Sequence, residues 1–121
     1  MLSFNLFVID LDESITFYTA GLGAVLVEQG AGYAQLQLAG HTFKLAVKPE
    51  NTPDMLGATP LCFQLDTGSE TAQASLVNQA EQAGATIGLP GTATDPYFET
   101  PKGRVCNVVD VNGFYWSVTG R

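Results

Sequence analysis

Apolar positions in this chain fall into short alternating runs, broken twice by stretches with helical spacing. Residues 3–9 alternate as a strand that is apolar on both sides. Phe4, Leu6 and Val8 form one face, and Asn5, Phe7 and Ile9 the other. Asp10 then stands where a helix N-cap is needed, and Glu13 follows at capping-box spacing. Leu11, Ile15, Phe17, Tyr18 and Leu22 supply one face of a helix over about 11–20, which Gly21 and Gly23 end. Alternation returns over 24–29, 33–38 and 41–47, with turns at Gly30-Ala-Gly32 and Ala39-Gly40. A connector at 48–59 holds Pro49 and Pro53 among other turn formers. The pattern then repeats. A strand at 61–65 ends in Asp66, and a helix over about 70–83 is stopped by Gly84. Thr67 or Ser69 is its cap, and Ala72, Leu76, Val77, Ala80 and Ala83 form its stripe. Strands follow at 85–89, 104–110 and 114–119. Residues 92–101 between them are irregular, and the Asn112-Gly113 pair signals a hairpin.

The element order is therefore β-α-β-β-β, connector, β-α-β-β-β. This is an α+β chain with an internal duplication: one domain over 1–121, a first module over about 1–47 and a second over about 60–121. Phe7-Val-Ile-Asp10 and Phe63-Gln-Leu-Asp66 hold equivalent places in the two halves.

Composition narrows the function classes. The 121 residues are 45% hydrophobic and only 14% charged, enough to fill a core. A net charge of −7 argues against nucleic-acid binding, which wants a basic face, and weakly favours cationic ligands. No apolar run reaches the ~18 residues of a membrane span. The first ten residues lack the basic lead of an export signal, so a cytoplasmic location is expected. Cys62 and Cys106 both fall in apolar runs and read as two buried thiols rather than a disulfide.

Three segments carry a family resemblance: Val8-Ile-Asp-Leu-Asp-Glu-Ser-Ile-Thr-Phe-Tyr18 with Leu22-Gly23, Thr100-Pro-Lys-Gly-Arg104, and Val109-Asp-Val-Asn-Gly113. With the duplicated element order, they resemble the vicinal oxygen chelate superfamily, which includes glyoxalase I, bleomycin-resistance proteins and extradiol dioxygenases. Val111 stands where that family usually has proline. The resemblance implies two βαβββ modules whose curled mixed sheets make a cleft, with helices on the outer face, and a homodimer. Enzymes of the family hold a divalent metal in the cleft through His, Glu or Gln from four strands.

In the family register those four positions fall on Ser3, Lys44, Pro60 and Ser117, and the only histidine is His41. None of the four is a ligand for a divalent metal. The resemblance thus implies the fold without its usual metal, cofactor or metal-dependent catalysis. In the same register Asn5, Phe7, Cys62, Gln64, Tyr115 and Ser117 face the cleft, and Trp116 faces the helix layer as core. Lys44 has two readings: a cleft cation meeting an anionic ligand group, or an edge lysine that blunts aggregation. Tyr97 and Phe98 form either an aromatic lid or a plain loop anchor. His41 reads as an edge histidine, and Asp10 and Asp66 as helix caps rather than acids. Paired catalytic carboxylates, a nucleophile beside a histidine and a phosphate-cradling glycine loop are all missing from the pattern. The expectation is a metal-independent protein that binds a planar, aromatic or cationic small molecule, similar to the drug-resistance branch of the family. The alternatives are a glyoxalase-like lyase, isomerase or dioxygenase, and a non-catalytic interaction module.

Overall fold

The computed structural model describes residues 4–47, 62–88 and 95–120. The predicted connector at 48–59, Ser3, Pro60 and Leu89 lie outside them. Strand β1 (Phe4–Val8) leads into helix α1 (Leu11–Thr16), which continues as a π-helical turn over Phe17–Gly21. Strands β2 (Val25–Gly30), β3 (Tyr33–Leu38) and β4 (His41–Val47) follow. The second half comprises β5 (Cys62–Asp66), α2 (Glu70–Gln82), β6 (Thr86–Ile87), β7 (Tyr97–Thr100), β8 (Gly103–Val109) and β9 (Tyr115–Gly120). One sheet runs β1-β4-β3-β2. The other runs β5-β9-β8-β6, with β7 added beside β8. In each sheet the first strand lies parallel to the last, so each half has the same topology, and both sheets are mixed.

The caps follow the local chemistry, with one change. Asp10 Oδ1 accepts from the Glu13 N–H at 3.0 Å, as the capping spacing predicts. The cap of α2 is Ser69, whose hydroxyl accepts from Ala72 N–H at 3.1 Å. Asp66 instead accepts from Gly68 N–H in the turn, and Thr67 donates to Ser69 O and Thr119 O. Ser69 wins because its backbone is extended immediately before the first helical residue. Residues 97–100, expected to be irregular between two prolines, form β7. Pro101 and Lys102 make the turn of a hairpin with β8, so neither proline interrupts the ladder.

One core runs through both halves. Leu6, Val8, Leu36 and Leu45 of the first sheet join Leu65, Cys106, Val108, Trp116 and Val118 of the second, with Phe17, Tyr18, Leu22, Val77 and Ala80 between them. The core-facing sides of the two sheets thus share one interior, and the opposite sides face outward. The π-helical turn packs on α2 so closely that a β-carbon on Gly21 would meet the Ala83 methyl at 3.0 Å. Trp116 is buried, as its expected core role requires, and so is Cys106, whose thiol is pushed up to about 11 by desolvation. Cys62 is exposed rather than buried, because β5 is an edge strand and the residue lies on its outward side beside Tyr115.

A buried polar cluster joins the halves. Tyr18 Oη donates to Asp110 Oδ2 at 2.7 Å and Trp116 Nε1 to the same oxygen at 2.9 Å. The backbone N–H groups of Asn112 and Phe114 donate to Oδ1, each at 2.9 Å. Asn112 Nδ2 reaches Ser14 Oγ at 3.1 Å. Burial raises the Asp110 carboxyl above its ordinary value, and these four donors oppose the shift. A carboxyl with a raised folded-state pKa favours folding most below the ordinary carboxylate pKa. That contribution is lost as pH rises through the folded value. Removing a donor to the carboxylate therefore costs most when Asp110 is ionised. Tyr18→Phe is expected to lower stability by about 1.5–3 kcal/mol at neutral pH and by less in mild acid. Urea unfolding at the two pH values measures the difference.

Candidate functional site

A cavity of about 580 Å³ lies at the end of the inter-sheet space marked by the β3–β4 turn. β1 contributes Phe4 and Leu6, and β4 contributes Phe43. From the second sheet come Phe63 and Leu65 of β5 and Trp116 of β9. Leu38, Ala39, Gly40, His41 and Thr42 bring the β3–β4 turn to its mouth, and Gln35, Lys44 and Gln64 complete the lining. The volume falls within the roughly 300–1,000 Å³ of small-molecule sites.

Strand register explains these walls. Phe4 pairs with Phe43, so both rings project from the core-facing side of the first sheet. Phe63 pairs with Trp116 on the corresponding side of the second. The Phe63 and Trp116 rings are 4.8 Å apart at 34°, and Tyr18 stands edge-on to Phe43 at 5.8 Å between centroids. The indole is held by its bond to Asp110, which sets the plane of one wall. The turn at the mouth needs two consecutive residues with positive φ. Gly40 (80°) adopts this freely, but Ala39 (52°) does so under strain of roughly 1 kcal/mol.

Among the described residues, the register of β1 with β4 runs from Phe4 and Phe43 to Val8 and Val47. Lys44 shares the outward side of the sheet with its cross-strand neighbours Asn5 and Gln35. Its ammonium stands 6.0 Å from the centre of the Tyr33 ring.

The residues that sequence reasoning places in the cleft divide into three groups. Lys44 and Gln64 line the pocket. Asn5, Phe7, Tyr115 and Ser117 share the outward sides of the two sheets with Lys44 and Gln64 but do not line the pocket. Tyr97 and Phe98 belong to β7. Tyr97 lies under the Arg104 guanidinium at 4.4 Å, Phe98 is exposed, and neither lines the pocket. Phe4, Leu6, Leu38, Phe43, Phe63, Leu65 and Trp116 also line the pocket; of these the sequence reading placed only Trp116, in the core. Phe4 remains 53% exposed. His41 is exposed at the strand start, as expected, and also lines the mouth. Asp110, which sets the indole, was visible only as part of a hairpin motif.

The implied metal does not fit the donor set. Of the four ligand positions, Lys44 and Ser117 are within the described residues, and they present an ammonium and an aliphatic hydroxyl. Among the described residues no group of three or more His, Cys, Asp or Glu side chains is placed to hold a metal ion. No helix among them is long and apolar enough to cross a membrane.

Comparison with known proteins agrees with this architecture. The structure of the hypothetical protein SA1046 from S. aureus superposes with a TM-score of 0.73 at 20% identity, covering 100% of this chain and 96% of that one. A glyoxalase-related enzyme from Fulvimarina pelagi gives 0.77 at 20% identity, covering 100% and 87%. The genomically encoded fosfomycin resistance protein FosX from Listeria monocytogenes gives 0.76 at 14%, covering 100% and 92%. At these identities the likeness is one of fold. A search of curated proteins finds no match. The model of the Glyoxalase/Bleomycin resistance protein/Dioxygenase superfamily matches residues 1–105, and the chain belongs to that superfamily.

Proposed function

We propose that this protein binds a small, planar, largely apolar organic molecule without a metal, in the pocket between its two sheets. The observation that carries this reading is the cavity of about 580 Å³ walled by Phe4, Phe43, Phe63 and Trp116. Aromatic rings give large contact area at low entropic cost and accept a flat guest by stacking. The donor set at Lys44 and Ser117 points the same way, since neither side chain supports Lewis-acid chemistry there. Sequestration of a drug or other toxic aromatic in the cytoplasm is the biological setting we put forward. The family's name and the likeness to a fosfomycin resistance protein support it at the level of fold only.

A homodimer belongs to the same reading. Phe7, Val25, Val27 and Tyr115 are exposed on the first and last strands and on edge strand β2, and a second copy would cover such apolar surface. Sedimentation equilibrium is expected to give twice the chain mass, and a single-chain mass across the micromolar range would refute the dimer.

Two further measurements test binding. N-phenylnaphthylamine, a neutral two-ring-system probe, is expected to bind one site per chain with a Kd of roughly tens of micromolar, from about 0.3–0.4 kcal/mol per non-hydrogen atom. Thr42→Trp places a large side chain at the mouth, on an exposed strand position that tolerates aromatics, and should abolish that binding while leaving the melting temperature unchanged. Binding that survives Thr42→Trp would place the ligand elsewhere. Calorimetric titration with Zn²⁺, Ni²⁺ and Mn²⁺ should give no tight one-to-one site. A stoichiometric metal per chain would overturn the metal-free reading.

A further inference from the structure

We infer that the pocket selects planar aromatic molecules carrying a single anionic group, with Lys44 at its rim as the counter-charge. This rests on the pocket being the ligand site proposed above, and it adds a substrate class to that reading. It also reverses what net charge alone suggests, since an acidic chain of −7 would attract cations.

The lining carries the inference. The chain has 12 acidic side chains and 5 basic ones, yet among the described residues no Asp or Glu lines the pocket, while Lys44 and His41 do. Among these residues a cationic aromatic would meet an ammonium and no carboxylate. Gln35, Gln64 and Thr42 add neutral groups able to donate hydrogen bonds to an oxyanion. Among the described residues Lys44 forms no ion pair; its contact is with the Tyr33 ring. The acidic group closest in register is Glu28, which faces Gln35 one strand further out and accepts from Tyr33 Oη at 3.0 Å.

The polar groups are also segregated. Trp116, Leu6 and Leu65 are buried, whereas His41, Thr42, Lys44 and Gln64 are exposed. A ligand that stacks its rings against Phe63 and Trp116 would leave one end at the polar mouth. The occupant is thus amphipathic, with an apolar body and a charged tip. One lysine in the field of a strongly acidic chain suits one negative charge rather than several. The size of the effect follows from exposure: an exposed ion pair is weak, so selectivity is modest and falls as salt screens it.

Anilinonaphthalene sulfonate and neutral N-phenylnaphthylamine share a ring system and differ in one sulfonate, which makes them the test pair. Each is titrated by fluorescence into the wild-type protein and into Lys44→Gln at low ionic strength, with thermal melting as the folding control. In Lys44→Gln the sulfonate probe is expected to bind about two- to fivefold more weakly, with the neutral probe unchanged. If both probes bind and Lys44→Gln leaves the sulfonate unchanged, or weakens both equally, the inference is overturned while the binding reading stands. If neither probe saturates at one site per chain, the pocket reading fails and this inference fails with it.

Discussion

The arrangement of this molecule depends on one buried carboxylate. Asp110 sits at the turn between the last two strands and collects donors from both halves of the chain: Tyr18 from the first helix, Trp116 from the last strand, and two backbone N–H groups from its own turn. A buried anion without a cation partner is tolerable only when its lone pairs are occupied. That requirement ties the two halves together more specifically than apolar contact could. Hydrophobic burial would accept Tyr18 against any apolar surface; the hydrogen bond accepts it only where its hydroxyl meets Oδ2. The halves are 92 residues apart in sequence at this bond, so the contact fixes how one sheet sits on the other.

The same interaction shapes the pocket. Trp116 is anchored at its nitrogen by Asp110 and packed on Phe63, so its ring cannot swing into the cavity without losing a bond to a charged group. Tyr18, held from the other side, reaches Phe43 as well as Trp116. The helix layer therefore braces both aromatic walls. Empty apolar space between sheets would ordinarily collapse around small or mobile side chains. Here the Trp116 ring, its nitrogen committed to Asp110, is held back from filling the space.

Apart from β7, the element order and the duplication were legible in the sequence, because period-two and period-3.6 patterns are local. Strand β7 was hidden by Pro96 and Pro101, which signal a break but fall at the ends of the strand. The site was legible only in part, for a physical reason. Alternation says that Phe43 and Lys44 point to opposite sides of β4, but not which side meets the other sheet within one chain. Of the residues read as cleft-facing, Lys44 and Gln64 line the pocket while Asn5, Phe7, Tyr115 and Ser117 do not, and Trp116, read as core, is one of its walls. Lys44 and Gln64 line the pocket although each sits mid-strand on the outward side, paired with Asn5 and Ser117, and alternation alone does not record that. Asp110 was overlooked because an Asp two residues before Asn-Gly fits any tight turn, and its partners are far away in sequence.

Lys44 links the fold's usual chemistry with what this chain offers. A divalent metal in a vicinal-oxygen site contributes two things: positive charge at a fixed point, and open coordination positions for adjacent oxygens. An ammonium keeps the first in weaker form and lacks the second. It can attract an anionic group through a single hydrated charge on a flexible stem, but it cannot draw electron density from two oxygens at once. On the proposed reading, lysine at that register position and serine at the opposite one would hold a polar ligand group without the means to activate it. The aromatic walls would then supply most of the binding free energy, and the lysine would set which end of the ligand faces out. The proposal of recognition without turnover rests on that pairing of a ring-lined depth with a cation at the rim.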